Sequence, residues 1–406
     1  MTLATPARRV LTAVALSTSL VLTLSSTLAA PTKDRRERIQ HIVVVMMENR
    51  SFDHLLGWHP TADGVQAGLS YADDAGHVEP TYALAPEYMG CEFNDPDHSF
   101  AGSRTSYDDG RMDGFLRAGD NDRYAIGYYV EEDRPFTSAL ARNYTTADRF
   151  FASILSETFP NRFFLHAAQT DRLSNTNELS TLPTIWDRLA DAGVSARYYF
   201  SDAPFLLLWG TKYNGISSPY VQFLDDAAAG ALPAVSFVDP SFLVEELGTC
   251  NSDHPHCDVR ASDAFLAEAF HAVATGPDWP STVFIVIYDE GGGFFDHVPP
   301  PRAVAPNDVD PDLVRGKALL GFRVPAIVAS PWSKGSPDNP RVSSTVFDHT
   351  SVLKLIEWRW HLRPLTARDA SDDVGNLIDL LAFGRFDPTV PDLPFPSEPA
   401  VTPCEP

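Results

Sequence analysis

Two stretches of this sequence restrict the fold more than any others. Ile42 to Met47 and Thr282 to Tyr288 are unbroken runs of β-branched and other apolar side chains. A strand with one wet face alternates, so these runs predict strands buried on both sides of a parallel or mixed sheet. Each ends in an abrupt polar burst. The first is followed by Glu48-Asn49-Arg50-Ser51-Phe52-Asp53, the second by Asp289-Glu290-Gly291-Gly292-Gly293. Open α/β sheets place ligand sites beyond the carboxyl ends of their strands. Glu48, Asn49, Asp289 and Glu290 would meet there as hard oxygen donors. Three crowded carboxylates stay ionised only if a cation neutralises them. Either burst alone reads better as caps and turn residues; the pair, on two of the most apolar strands, points to a site.

The rest of the pattern alternates strands and helices. Val194 to Phe200, Ala234 to Val238 and Val324 to Ala329 read as further strands. Thr181 to Ala192, Ala261 to Ala274 and Thr350 to Trp360 carry apolar residues at helical spacing. Alternation of this kind predicts an α/β fold of three layers, a central mostly parallel sheet with helices on both faces. Gly57 to Asp122 has no sustained period and reads as a long excursion over the sheet. Phe386 to Pro406 holds seven prolines and predicts an extended tail.

His98, His254, His256 and His297 lie in loops beside Asp and Pro, which suits acid–base or ligand roles. His41 begins a strand and reads as a core residue; His349 opens a helix. Ser156-Glu157-Thr158-Phe159-Pro160-Asn161-Arg162 offers Thr158 as a metal-activated hydroxyl, with Asn161 and Arg162 to grip anionic oxygens. Spacing alone reads Thr158 as a helix N-cap.

At this point a family resemblance becomes visible. Met47-Glu48-Asn49-Arg50-Ser51-Phe52-Asp53-His54 resembles the opening motif of the bacterial and plant phosphoesterase family. That family includes phospholipases C, non-specific and phosphatidylcholine-type, and a group of acid phosphatases. Gly110-Arg111-Met112-Asp113-Gly114-Phe115, Thr158-Phe159-Pro160-Asn161-Arg162, Leu232-Pro233-Ala234-Val235-Ser236 and Asp253-His254-Pro255 are similar to further landmarks. So are Tyr288 to Val298, Val324 to Pro331 and Asp348-His349-Thr350-Ser351. The resemblance implies an alkaline-phosphatase-like core and one divalent metal ion, with Ca, Mg, Mn and Zn all open. It implies Glu48, Asn49, Thr158, Asp289 and Glu290 as metal ligands. It makes Thr158 the nucleophile of a phospho-threonine pathway, with Asn161 and Arg162 binding substrate. His98, His254 and His297 would hold phosphoryl oxygens and protonate the leaving group. The implied substrate is a phospholipid, with soluble phosphomonoesters the alternative, and transient contact with a membrane surface follows from the first. The loop Asp253-His254-Pro255-His256-Cys257 departs from the family, where a second proline is commoner, and Cys257 suggests a disulfide-tied variant. The larger family phospholipases carry C-terminal domains that this chain is expected to lack.

Arg8 and Arg9, an apolar run from Val10 to Leu24 and small residues at Thr27 to Ala30 read as an export signal over residues 1–30. That leaves residues 31–385 for the catalytic domain and 386–406 for the tail, in a secreted or periplasmic protein. Four cysteines, Cys91, Cys250, Cys257 and Cys404, suit disulfides in that setting; Cys250 and Cys257 flank a short loop, but the pairing stays open. The net charge of −23 argues against nucleic acid as a partner. A sulfatase is disfavoured, because no Cys-x-Pro-x-Arg segment is present. Intact Thr158, Asp289 and Glu290 argue against a non-catalytic binding protein, and a monomer is expected.

Overall fold

The computed structural model describes residues 1–4, 34–242, 249–400 and 403–404. The export signal predicted over residues 1–30 lies, from residue 5 on, outside the described residues.

One eight-stranded sheet organises the chain. Its strands are β1 (His41–Met47), β2 (Thr145–Ala147), β3 (Ala196–Phe200), β4 (Ser217–Pro219), β5 (Val235–Asp239), β6 (Thr282–Tyr288), β7 (Ala326–Ala329) and β8 (Arg341–Ser343). They lie in the order β8-β2-β7-β6-β1-β5-β3-β4. β1 pairs in parallel with β6 on one side and β5 on the other. β7 runs against both its neighbours and is the sheet's only antiparallel strand. Every residue of β6, and of β1 after His41, is buried, as their composition requires.

The helices fall into two packed sets, one for each face of such a sheet. Pro135–Asn143 and Tyr220–Ala229 both pack on Val259–Thr275. Ile185–Asp191 and His349–Trp360 both pack on Thr158–Ala167. The expected three-layer α/β architecture is therefore present. The helix expected from Thr181 begins at Ile185: Pro183 precedes a capping box, in which Asp187 Oδ2 accepts the Thr184 N–H at 3.0 Å. Phe150 to Leu155, read from sequence as strand-like, makes only isolated bridges through Phe150 and Phe151. The excursion from Gly57 carries one helix of its own, Phe100–Tyr107.

Register sets the site. Met47 lies opposite Tyr288, so Glu48 and Asp289 leave the sheet side by side. Val45 lies opposite Val238, which brings Asp239 to the same edge one strand over. Parallel direction puts all three carboxyl ends together.

The cysteines pair as Cys91–Cys404 and Cys250–Cys257. The first ties the proline-rich tail to the excursion across 313 residues. No helix among the described residues is long and apolar enough to cross a membrane. Replacing Cys91 and Cys404 together by Ser should lower the unfolding free energy by about 2–5 kcal/mol. Guanidinium denaturation checks this; an unchanged midpoint would mean the tail's other contacts hold it alone.

Candidate active site

Asn49 follows the first strand tip with φ of +55°, a turn that points its backbone N–H at Asp289 Oδ1, 3.0 Å away. The same Asp289 oxygen accepts the Glu290 N–H at 2.7 Å. Gly292 and Gly293 complete the junction, both with positive φ. A Cβ on Gly292 would sit 2.0 Å from the Asn49 carbonyl oxygen, and one on Gly293 would sit 2.7 Å from Pro96. Only glycine permits that approach. It brings the loop of His98 onto the tips of β1 and β6.

Thr158 is the first residue of its helix, with Glu157 in the N-cap position and Pro160 in the first turn, where its missing N–H costs nothing. The expected N-cap role thus falls to Glu157. The Thr158 hydroxyl donates to Asn49 Oδ1 at 3.1 Å. It therefore lies at a helix N-terminus, where the dipole favours negative charge. Asn161 Nδ2 donates to the carbonyls of Ser156 (2.9 Å) and Glu157 (3.1 Å), and its Oδ1 accepts from Ile154 N–H at 3.1 Å. Those bonds use both amide hydrogens. In this structure Asn161 braces the turn that presents Thr158 and offers no free donor to a substrate oxygen.

Arg162, expected to grip substrate, is buried against carboxylates. Its nitrogens lie 3.1 Å from Asp239, 3.3 Å from Asp289 and 3.4 Å from Glu48. Burial works against its charge, but Asp239, Glu48 and Asp289 together raise its pKa. Asp239 also accepts from the Tyr198 hydroxyl. Sequence reading missed Asp239, although β5 ends in Val238-Asp239-Pro240 by the rule that exposed Glu48 and Asp289.

His98 and His254 face each other, with ring centroids 5.8 Å apart. His98 Nδ1 lies 2.8 Å from the Pro96 carbonyl and Nε2 lies 3.3 Å from Asn49 Nδ2. His254 Nδ1 lies 3.0 Å from the Pro255 carbonyl, which directs Nε2 toward Asp95 at 4.0 Å. Burial lowers the pKa of His98, but Glu290 and Asp95 outweigh it and raise it to about 9. Burial takes His254 down to about 4, against the pull of Asp95. Burial raises Glu290 to about 8; His98 opposes the shift and Asp289 adds to it.

His297 belongs to a second cluster. Its Nδ1 lies 2.6 Å from Asp53 and its Nε2 3.3 Å from Asp63. Arg323 binds Asp296 at 2.9 Å and Asp53 at 3.1 Å and supplies the balancing charge. No hydrogen bond recorded among the described residues joins His297 to Thr158. His349 is buried between Ser153 Oγ and the Tyr288 carbonyl, at the foot of the site.

Among the described residues two groups bring three candidate metal-ligand atoms together, Asp95-His98-His254 and Asp53-Asp296-His297. Glu290 Oε1 is buried without a hydrogen-bond partner, and Glu48, Asp239, Asp289 and Glu290 face one guanidinium and one imidazolium. Glu48, Asp289 and Glu290 do not form such a group in this structure; they are offered, with Asn49 and Thr158, by the family resemblance. A cavity of about 400 Å³ opens onto His98; Asp95, Asp97, Asp120, Glu157 and Asn175 line it with no tyrosine among the lining residues. Tyr124 and Tyr129 are core residues, bonded to the carbonyls of Met89 and Glu87.

Residues 39–363 match the family model described as the phosphoesterase family. Non-specific phospholipase C1 of Arabidopsis thaliana is 32% identical, covering 89% of this chain and 75% of that protein. Phospholipase C A of Mycobacterium tuberculosis is 33% identical, covering 82% of this chain and 75% of that protein. Among solved structures, the phosphonate monoester hydrolase of Agrobacterium radiobacter superposes over 84% of this chain and 77% of that one, at 11% identity and a TM-score of 0.41. With a family model spanning most of its length and phospholipases C at about a third identity, the chain belongs to the phosphoesterase family, hydrolases of phosphoric ester bonds.

Proposed function

We propose that this chain is a secreted, metal-dependent phospholipase C, which cleaves a glycerophospholipid into diacylglycerol and a phosphorylated head group through a phospho-threonine. The observation that carries the reading is the Thr158 hydroxyl. It stands at a helix N-terminus and donates to Asn49 Oδ1 at 3.1 Å; Asn49 in turn meets Asp289 Oδ1 through its N–H and His98 Nε2 through its side-chain amide, and His98 packs edge-on against His254. The names of the relatives support a phospholipid as substrate. Two disulfides suit an oxidising compartment, and the N-terminal signal pattern suits export to it.

A divalent cation held by Glu48, Asn49, Thr158, Asp289 and Glu290 would supply charge neutralisation and a lowered hydroxyl pKa. Thr158 Oγ1 attacks phosphorus as its proton passes to water and the bond from phosphorus to the leaving oxygen breaks, while the helix N-terminus steadies the charge gathering there. His98, flanked by Glu290 and Asp95, presents Nε2 to the phosphoryl oxygens. His254, neutral at rest with its Nδ1 proton tied to the Pro255 carbonyl, takes up a proton from water at Nε2 as the phosphoryl anion arrives and passes it to the departing oxygen. Water later cleaves the phospho-threonine. Arg162 keeps Glu48, Asp239 and Asp289 in place through both steps, and Asn161 holds the turn before Thr158. His297 supports the Asp53 turn that follows Asn49.

A second reading, an acid phosphatase for soluble phosphomonoesters, is favoured by one observation: among the residues that line the cavity above His98, Pro96 is the only large apolar one that could receive an acyl chain.

Thr158→Ala should lower kcat by about 10⁴-fold or more with an unchanged thermal melt; a folded variant with near-normal turnover would exclude the nucleophile role. Asp289→Asn should lower the bound metal measured by atomic emission, and a chelator should abolish wild-type turnover. Full metal content in the variant would remove Asp289 from the ligand set. The two readings separate when p-nitrophenyl phosphorylcholine is compared with p-nitrophenyl phosphate. Faster turnover of the diester supports the phospholipase; faster turnover of the monoester supports the phosphatase.

A further inference from the structure

The loop that carries His254 is fixed at an unusual point. Asp253 is fully buried and has φ of +80°, a costly backbone position for a residue with a side chain. Such a conformation persists only when its surroundings over-determine it, and here three groups do. Arg50 Nε donates to the Asp253 carbonyl at 2.6 Å. Arg134 donates to Asp253 Oδ2 at 2.7 Å, and the Tyr288 hydroxyl donates to the same oxygen at 2.6 Å. Arg134 also reaches the Tyr288 oxygen at 3.1 Å, which closes a three-membered network. One residue earlier, the Ser252 carbonyl accepts the Glu48 N–H at 2.8 Å.

These tethers have a common origin. Glu48 and Arg50 flank Asn49, and Tyr288 immediately precedes Asp289. The strand tips that carry the oxygen donors thus also hold the histidine loop. The disulfide Cys250–Cys257 closes that loop but spans only seven residues, so it limits the loop's shape without orienting it toward the sheet.

Building on the role given above to His254, we propose that Asp253 is a positioning residue: clamped by Tyr288, Arg134 and Arg50, it locks the left-handed turn that aims His254 at the leaving oxygen. Through its hydroxyl Tyr288 meets Asp253 and Arg134 of this clamp. Loss of its hydroxyl leaves Asp289 in place and lets the imidazole wander, and a displacement of that kind costs rate while sparing substrate affinity.

The test is a double-mutant cycle on the full chain, with kcat and KM read on a phosphoester that has an aliphatic leaving group. Tyr288→Phe should lower kcat by about tenfold or more, with KM and metal content unchanged. The same change in a His254→Ala background should cost less than about twofold, because nothing remains to be aimed. Equal losses in both backgrounds would overturn the proposal and assign Tyr288 a general structural role. Should Tyr288→Phe fail to fold, Asp253→Asn repeats the cycle with the side chain's shape retained. A wild-type protein that turns over no phosphoester overturns the enzymatic reading itself. An active wild type matched by an equally active His254→Ala overturns both the histidine's role and its positioning by Asp253.

Discussion

The guanidinium of Arg162 lies among three buried carboxylates, Glu48, Asp239 and Asp289, each from a different neighbouring strand tip. Removing such charges from water costs several kcal/mol per ion, which attraction repays only when partners are close and well bonded. One arginine cannot satisfy three, and Glu290 adds a fourth acid beside it. The junction is therefore built short of positive charge. At its margin burial pushes Glu290 up to about 8, with Asp289 adding to the shift, and Glu290 and Asp95 draw His98 up to about 9 against burial. A divalent cation would resolve both at once. Arginine is the suitable fixed part of the balance, because its charge survives burial where lysine would surrender a proton.

The site divides into two kinds of structure. Oxygen donors sit on strand tips whose register is set by full burial of β1 and β6. A slip of one residue would exchange the two faces of the strand and misplace Glu48 or Asp289. Histidines sit on loops, brought in by contacts that need glycine at Gly292 and Gly293 and a left-handed turn at Asp253. Precision in the first half comes from the sheet. In the second it comes from hydrogen bonds cast back from the sheet to the loop.

That division also explains what the sequence made legible. β6 was readable to the residue, because a fully apolar run has no other soluble solution. β1, β5 and the helix Val259–Thr275 followed from period and composition within two residues. The oxygen donors were legible for the same reason: they directly follow the runs. Asp239 obeyed that rule too and was overlooked, since its strand is short and its polar end is a single residue. Spacing cannot show which side of a helix turn an amide faces, so the internal bonds of Asn161 and the carboxylate partners of Arg162 were not legible. The separation of His297 from His98 and His254 was invisible for a deeper reason. All three sit in similar Asp-Pro surroundings, and only the long-range partners, Asp53 and Arg323 for one and Asn49 and Asp95 for the others, distinguish them.

The same logic bears on substrate choice. In the mechanism proposed above, the donor half would face only the phosphoryl group, which a diester and a monoester share, and so would not discriminate between them. Discrimination must come from what meets the leaving group and its substituent, and those surfaces belong to loops: Asp95 to Asp97, Asp120, Glu157 and Asn175 around the cavity above His98. Carboxylates there oppose a second anionic group on the substrate and favour a cationic one, through a field the protein's overall charge of −23 reinforces. Asp97, Asp120 and Asn175 can change in this lining without touching β1 or β6, whereas Asp95 faces His254 and Pro96 packs on Gly293. Substrate preference in this fold can thus shift while the chemistry stays where the sheet puts it.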